Sequence, residues 1–278
     1  MKTIGFIDYF LHEWHANEYP GMIRAYNEKT GADYCVKYAW AEMDAPSGVT
    51  TDDWCAQYGV ERCATIEELC EKCDYVIVLS PSNPEKHLEY AKKVFACGKS
   101  PYIDKTFAPD YATAKVIFDM AKAQGVKFFT SSALRYANEL NAYMGTAKAV
   151  FTQGGGSNFD EYIIHQIEMA VKCLGVGAEQ IRYVKRADQE WVEVAYGDDR
   201  SAVMTFACCL PFTATVSDEN GGKYLPINSA FFDNLIADII RFFETGETSF
   251  DAAETLEVMK IREGAIKAKD EAGVWRKL

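Results

Sequence analysis

The chain is short of positive charge, of long apolar runs and, near its start, of glycine. Lysine and arginine total 29 against 41 aspartates and glutamates, a net charge of −12. The average field repels polyanions, and no basic block or basic–aromatic stripe offsets it. Nucleic acid and anionic membrane surfaces are therefore not expected partners. No uncharged apolar stretch approaches the roughly 20 residues that a membrane helix needs. The opening run "MKTIGFIDYF" is too short, and too soon interrupted by Asp8, for a secretory leader, so a cytoplasmic location is expected. The nine cysteines are odd in number and scattered, unlike a disulfide framework. "CEKC" (Cys70 to Cys73) has metal or redox spacing, yet no second CxxC or CxxH accompanies it. Reduced, half-buried thiols are the expectation. Between Gly5 and Gly21 there is no glycine, and "IGFIDYFLHEWHA" instead carries Asp8, His12, Glu13 and His15. A glycine-rich phosphate turn is thus missing from the place where a first βα turn would hold one.

What is present alternates. "TIGFID", "DYCVKYAWA", "DYVIVLS", "SPYID" and "VKFFTSS" read as strands, and apolar-faced runs between them read as helices. The first such helix is expected from about Glu18 to Lys29, closed by Gly31, and "NPEKHLEYAKKVFACGK" is another, ended by Gly98. "DYVIVLS" is almost wholly apolar, as a strand covered on both faces must be. This rhythm predicts an α/β fold: a Rossmann-like, doubly wound parallel sheet over residues 1–137. Beyond that, the glycine run "QGGGSNFDEY" leads into the helix "IIHQIEMAVKCLG". "QIRYVKR", "EWVEVAY", "SAVMTFACC" and "FTATVSD" follow without helices between them and predict an antiparallel meander. Residues 138–278 are expected to form an α+β domain with a mostly antiparallel sheet, the final helix being free to pack back on the first domain.

Three stretches carry a resemblance. "DYVIVLSPSNPEKHLEYAKKVFACGKSPYIDKTFA" is similar to the strand, T-P-x-x-x-H, helix, A-G-K, strand and E-K-P of the Gfo/Idh/MocA oxidoreductases, relatives of glucose–fructose oxidoreductase and inositol dehydrogenase. "GGGSNFDEYIIHQIEMAVKCLG" resembles that family's glycine run, Asp and His-x-x-Asp helix, and "ETLEVMKIREGAIKAKDEAGVWRKL" its closing helix and tail. The resemblance implies hydride transfer between NAD or NADP and a carbinol carbon of a sugar-, cyclitol- or polyol-like molecule. It places Lys105 beside the reacting hydroxyl and makes His165 the acid or base. Such chemistry needs a proton acceptor with the hydride acceptor, and histidine titrates in the right range. It further places Asp8, Tyr9, Phe10, Leu11, Ser80, Pro81, Ser82, Asn83, His87, Asp104 and Lys105 against the cofactor. Arg135, Tyr136, Asp160 and Glu168, with His12 and His15 of the first turn, are the expected substrate contacts. A homodimer or homotetramer through the C-terminal sheet is the family-level expectation.

The departures are specific. "DYFLHE" stands where the family has its glycines, and two carboxylates facing a pyrophosphate oppose its binding unless paired, protonated or turned away. Asp104 and Thr106 replace the glutamate and proline of E-K-P, and Glu42 or Asp44 is offered as the ribose-binding acid. Two alternatives stay open. One is a ligand-binding or regulatory relative that has lost the cofactor. The other is a metal-assisted lyase or isomerase using Asp8, His12 and His15, whose donor types suit a metal although "HEWH" is not H-E-x-x-H. The leading expectation has no metal.

Overall fold

The computed structural model describes residues 1–278 and divides into two units: residues 1–131 with 235–249, and residues 132–234 with 250–278. The sequence reading put a single boundary at 137/138. The chain instead changes unit at 131/132 and returns, so that the penultimate helix, not the final one, supplies the segment belonging to the first unit.

In the first unit the order is β1 (Lys2–Asp8), α1 (Trp14–Thr30), β2 (Tyr34–Ala41), α2 (Thr51–Tyr58), β3 (Glu61–Arg62), α3 (Ile66–Lys72), β4 (Tyr75–Val78), α4 (His87–Ala96), β5 (Tyr102–Ile103) and α5 (Tyr111–Gln124). The strands form a sheet in the order β3-β2-β1-β4-β5, every pair parallel. This is the expected doubly wound arrangement, with β1 central. Val76, Ile77 and Val78 are completely buried, which is why β4 reads as an unbroken apolar run. Three details differ from the sequence reading. β3 is a two-residue addition at the edge, and "VKFFTSS" contributes only a bridge between Tyr102 and Phe129. α1 begins at Trp14, four positions earlier than expected, because Glu13 caps it.

The second unit contains β6 (Ala149–Gly154), α6 (Phe159–Leu174), β7 (Ala178–Arg186), β8 (Gln189–Tyr196), β9 (Ser201–Phe206), β10 (Thr213–Asp218) and β11 (Gly221–Pro226). α7 (Phe231–Thr245) then starts in this unit and ends in the first, and α8 (Ala252–Lys267) and β12 (Arg276–Lys277) close the chain. The sheet order is β11-β10-β6-β9-β8-β7-β12. The β7-β8-β9 meander is antiparallel as expected, while β6, which the glycine run disguised, pairs parallel with β9. Ile163, Ile167 and Val171 of α6 are buried in the core with Val150, Val192 and Met204 of the sheet. In the first unit, the ring of Phe242 from the returning segment meets Phe129, and Phe243 stacks on Tyr75 at 4.6 Å. All nine cysteines are free thiols, and no helix is long and apolar enough to cross a membrane.

Candidate functional site

Polar residues gather at the C-terminal ends of β1, β4 and β5, the edge at which parallel α/β sheets bind ligands. Asp8 ends β1 and is 1% exposed. Its Oδ1 accepts hydrogen bonds from the Tyr9 N–H at 2.7 Å and the Ser80 hydroxyl at 3.1 Å. Ser80 sits in the left-handed region with φ 72, a conformation that side chains other than glycine and asparagine rarely adopt. Asp8 Oδ2 is buried without a hydrogen-bond partner. Burial first, and repulsion from Glu13 second, push this carboxyl well above the usual carboxylate range.

At the end of β5, Asp104 and Lys105 are both buried. Asp104 Oδ1 accepts from the Lys105 N–H at 2.8 Å and the Tyr102 hydroxyl at 3.2 Å, and Oδ2 pairs closely with His15 Nδ1. The His15 ring stacks on Tyr19, whose hydroxyl is 3.3 Å from Nδ1. Burial opposes the Asp104 charge, but His15 and Lys105 outweigh it, leaving the carboxyl below its ordinary value. The Lys105–Thr106 peptide is cis. Sequence reasoning placed Lys105 and Asp104 here. His15, expected among the substrate contacts, is Asp104's partner.

The rest of the expected cofactor set is spread along the same edge. Tyr9 and Phe10 are half-buried, Leu11 is 1% exposed, and Pro81, Ser82 and Asn83 continue the loop after β4. His87 does not present its ring to a ligand. It is completely buried, its Nδ1 2.9 Å from the Phe107 carbonyl and its Nε2 2.5 Å from that of Leu79, so it clamps the two loops flanking Lys105. Of the two ribose candidates, Glu42 directly follows β2 but is held by Lys86 at 2.5 Å and the Tyr90 hydroxyl at 2.7 Å, while Asp44 accepts from the Thr51 N–H.

The second unit has its own polar group on α6. His165 Nδ1 lies 2.6 Å from the Ser132 hydroxyl, between the rings of Tyr162 and Phe212. One turn on, Glu168 accepts from the Ser132 N–H at 3.1 Å and pairs with Arg135 at 3.2 Å. Arg135 also pairs closely with Glu254 and lies 3.9 Å from the centroid of Phe250. Arg135 is therefore enclosed by two carboxylates and a ring. Tyr136 is half-buried, its carbonyl accepting from Asn234. Asp160 lies off this face, paired with Lys269 at 2.6 Å. The glycine run serves packing: a Cβ on Gly155 would lie 2.5 Å from the Cys208 carbonyl oxygen, and one on Gly156 2.1 Å from the Tyr162 ring. Ser132 and Glu254 were missed in the sequence, since nothing local marks a serine or a helix glutamate as the partner of a distant side chain.

The metal alternative is not supported by the donors' positions. Asp8 faces Ser80, His12 Nδ1 lies 2.9 Å from Ser47, and His15 turns to Asp104. No group of three or more histidine, cysteine or acidic side chains is placed to hold a metal ion.

The fold and these sites define a class, a two-unit α/β protein with a dinucleotide-type first unit. Comparison with known proteins adds what part of the chain is similar to. Residues 37–132 match the Gfo/Idh/MocA model, described as an oxidoreductase family with an NAD-binding Rossmann fold. The model that matches this segment is that of the family the motifs resemble. Over 61 residues the chain is 33% identical to the uncharacterized oxidoreductase YhhX of Escherichia coli; the match covers 22% of this chain and 18% of that relative's length. Among solved structures, GenD2 from gentamicin A biosynthesis, in complex with NAD, superposes with a TM-score of 0.77 at 14% identity, over 100% of this chain and 97% of its own. The UDP-N-acetylglucosamine 3-dehydrogenase GnnA of Acidithiobacillus ferrooxidans gives 0.72 at 12% identity, covering 96% and 97%. An Agrobacterium radiobacter oxidoreductase, in complex with NAD+, L-tartaric acid and magnesium, gives 0.74 at 13%, covering 99% and 98%. At these identities the likeness is one of fold.

The family match supports NAD(P) as cofactor, and it begins at Lys37, downstream of the first turn. That turn is where fit can be tested. Asp8, Phe10 and Glu13 have the spacing of the three glycines in G-x-G-x-x-G, so each position carries a side chain. Two of the amides that open α1 are already taken: Glu13 accepts from the His15 N–H at 2.8 Å and from the Ala16 N–H. As folded, the turn does not fit a diphosphate.

Proposed function

We propose that the protein is an NAD(P)-dependent oxidoreductase that interconverts a carbinol and a carbonyl on a sugar-, cyclitol- or polyol-like molecule, with Lys105 and His165 handling the hydroxyl proton. The observation that carries this reading is the Asp104–Lys105 pair at the end of β5, inside the segment matched by the oxidoreductase family and braced by His15 and Tyr102. The fold shared with a sugar-nucleotide dehydrogenase supports the substrate class. Carbinol oxidation removes a proton from oxygen; a buried ammonium lowers the energy of the alkoxide, and an imidazole suits the transfer near neutral pH. Calorimetric titration with NAD, NADH, NADP and NADPH tests the cofactor. No binding of any form at millimolar concentration removes the reading. With a polyol and aldose panel, Lys105→Met and His165→Asn are expected to lower kcat by about 10²–10⁴ without loss of fold.

A second reading, a ligand-binding relative without the dinucleotide, is favoured by the engaged amides at the start of α1. Metabolite binding that survives Lys105→Met, with no turnover, would select it.

The same proposal includes a cytoplasmic homo-oligomer formed through the second unit's sheet. Tyr224, Thr215 and Phe151 are in register across β11, β10 and β6 and are all exposed, Phe151 by 52% and Tyr224 by 61%. Light scattering is expected to show a dimer or tetramer that Phe151→Asp dissociates. A monomeric wild type refutes it.

A further inference from the structure

We infer that the Glu13 carboxylate is a built-in occupant of the anion seat at the start of α1, so that a diphosphate binds there only when this side chain leaves. That the diphosphate belongs to a dinucleotide rests on the function proposed above. The first amides of a helix have no intrahelical acceptors and sit at its positive end, which makes them a natural anion seat. Here the helix is 17 residues long, and the chain's own carboxylate already bridges two of those amides. Glu13 has an extended backbone, φ −132 and ψ 170, as an N-cap residue requires.

A second observation points the same way. Asp8, at the first glycine position, leaves Oδ2 buried and unpartnered, and Glu13 beside it opposes ionisation of the Asp8 carboxyl. The turn therefore already holds two acids in the space where an incoming diphosphate would bring more negative charge. Addition is disfavoured and exchange is the available route. Because Glu13 is tethered, it competes at a high effective concentration and lowers the apparent affinity for any free anion.

Glu13→Ser tests this, because serine still caps the helix with a short, uncharged side chain. Wild type and E13S are titrated calorimetrically with inorganic pyrophosphate and with NAD, NADH, NADP and NADPH, after circular dichroism confirms the fold. E13S is expected to bind pyrophosphate at least tenfold more tightly than wild type, with a similar gain for whichever dinucleotide binds. Equal pyrophosphate affinities overturn the inference. A pyrophosphate gain with no dinucleotide bound by either protein upholds the seat and removes the cofactor reading. Dinucleotide binding to wild type without any gain in E13S overturns the seat and leaves the cofactor reading standing. Should E13S fold poorly, Glu13→Gln repeats the comparison with the shape kept and the charge removed, and again a gain supports and equality refutes.

Discussion

Replacing Arg135 by leucine would leave two carboxylates without their shared cation. The guanidinium is 5% exposed and Glu168 7%, so the Glu168 charge would be stranded where water barely reaches; Glu254, at 24%, is less affected. Removing one partner of a buried ion pair costs about 3–5 kcal/mol, against a total domain stability of roughly 5–15 kcal/mol. A fall in Tm of about 10 °C or more is expected. The loss should depend on pH. Burial already raises the Glu168 carboxyl, with Arg135 the main force opposing it. Without Arg135 its folded-state value climbs further above the unfolded one. A group raised on folding contributes stability that is present in acid and disappears as pH rises through the folded value. Arg135→Leu is therefore least handicapped near pH 5 and most at pH 8. Urea melts of wild type, R135L and R135L/E168Q at both pH values check this. A loss below about 1 kcal/mol at pH 8, or a double variant no more stable than R135L, refutes the reasoning.

Gly156→Ala should destabilise by about 1–3 kcal/mol, because the added methyl would meet the Tyr162 ring at 2.1 Å; an unchanged Tm would show that the ring moves aside freely. Asp8→Asn removes a buried ionisable group whose folded-state value is raised, so wild-type stability should decline with rising pH relative to D8N, and parallel denaturation curves between pH 5 and 8 would contradict this. His87→Ala should cost about 1–3 kcal/mol through the carbonyl, of Leu79 or Phe107, that loses the ring N–H, and should lower turnover by loosening the Lys105 loop; turnover unaltered at full stability would separate the two roles.

The parallel sheet was legible because burial on both faces writes itself into β1 and β4 as apolar runs, and αL caps such as Gly31 and Gly125 mark helix ends. Elements set by context were not. β3 and β12 are two residues long, and β6 ends in glycines that also read as a loop. The start of α1 was misplaced because glutamate is an uncommon N-cap, and that same residue decides the state of the turn. Lys105 and His165 could be located because motif spacing places them on particular elements. His87 could not be told from a ligand contact, since only the fold reveals that both its nitrogens face backbone carbonyls.

The excursion of residues 235–249 into the first unit has a consequence for genetic dissection. A fragment ending at residue 131 would lack Phe242 and Phe243, baring the rings of Phe129 and Tyr75 that they cover. The complementary fragment would carry that amphipathic stretch with nothing to shelter its apolar side. Neither half should be recoverable by a single cut; separating them would need the excised helix spliced onto the first piece.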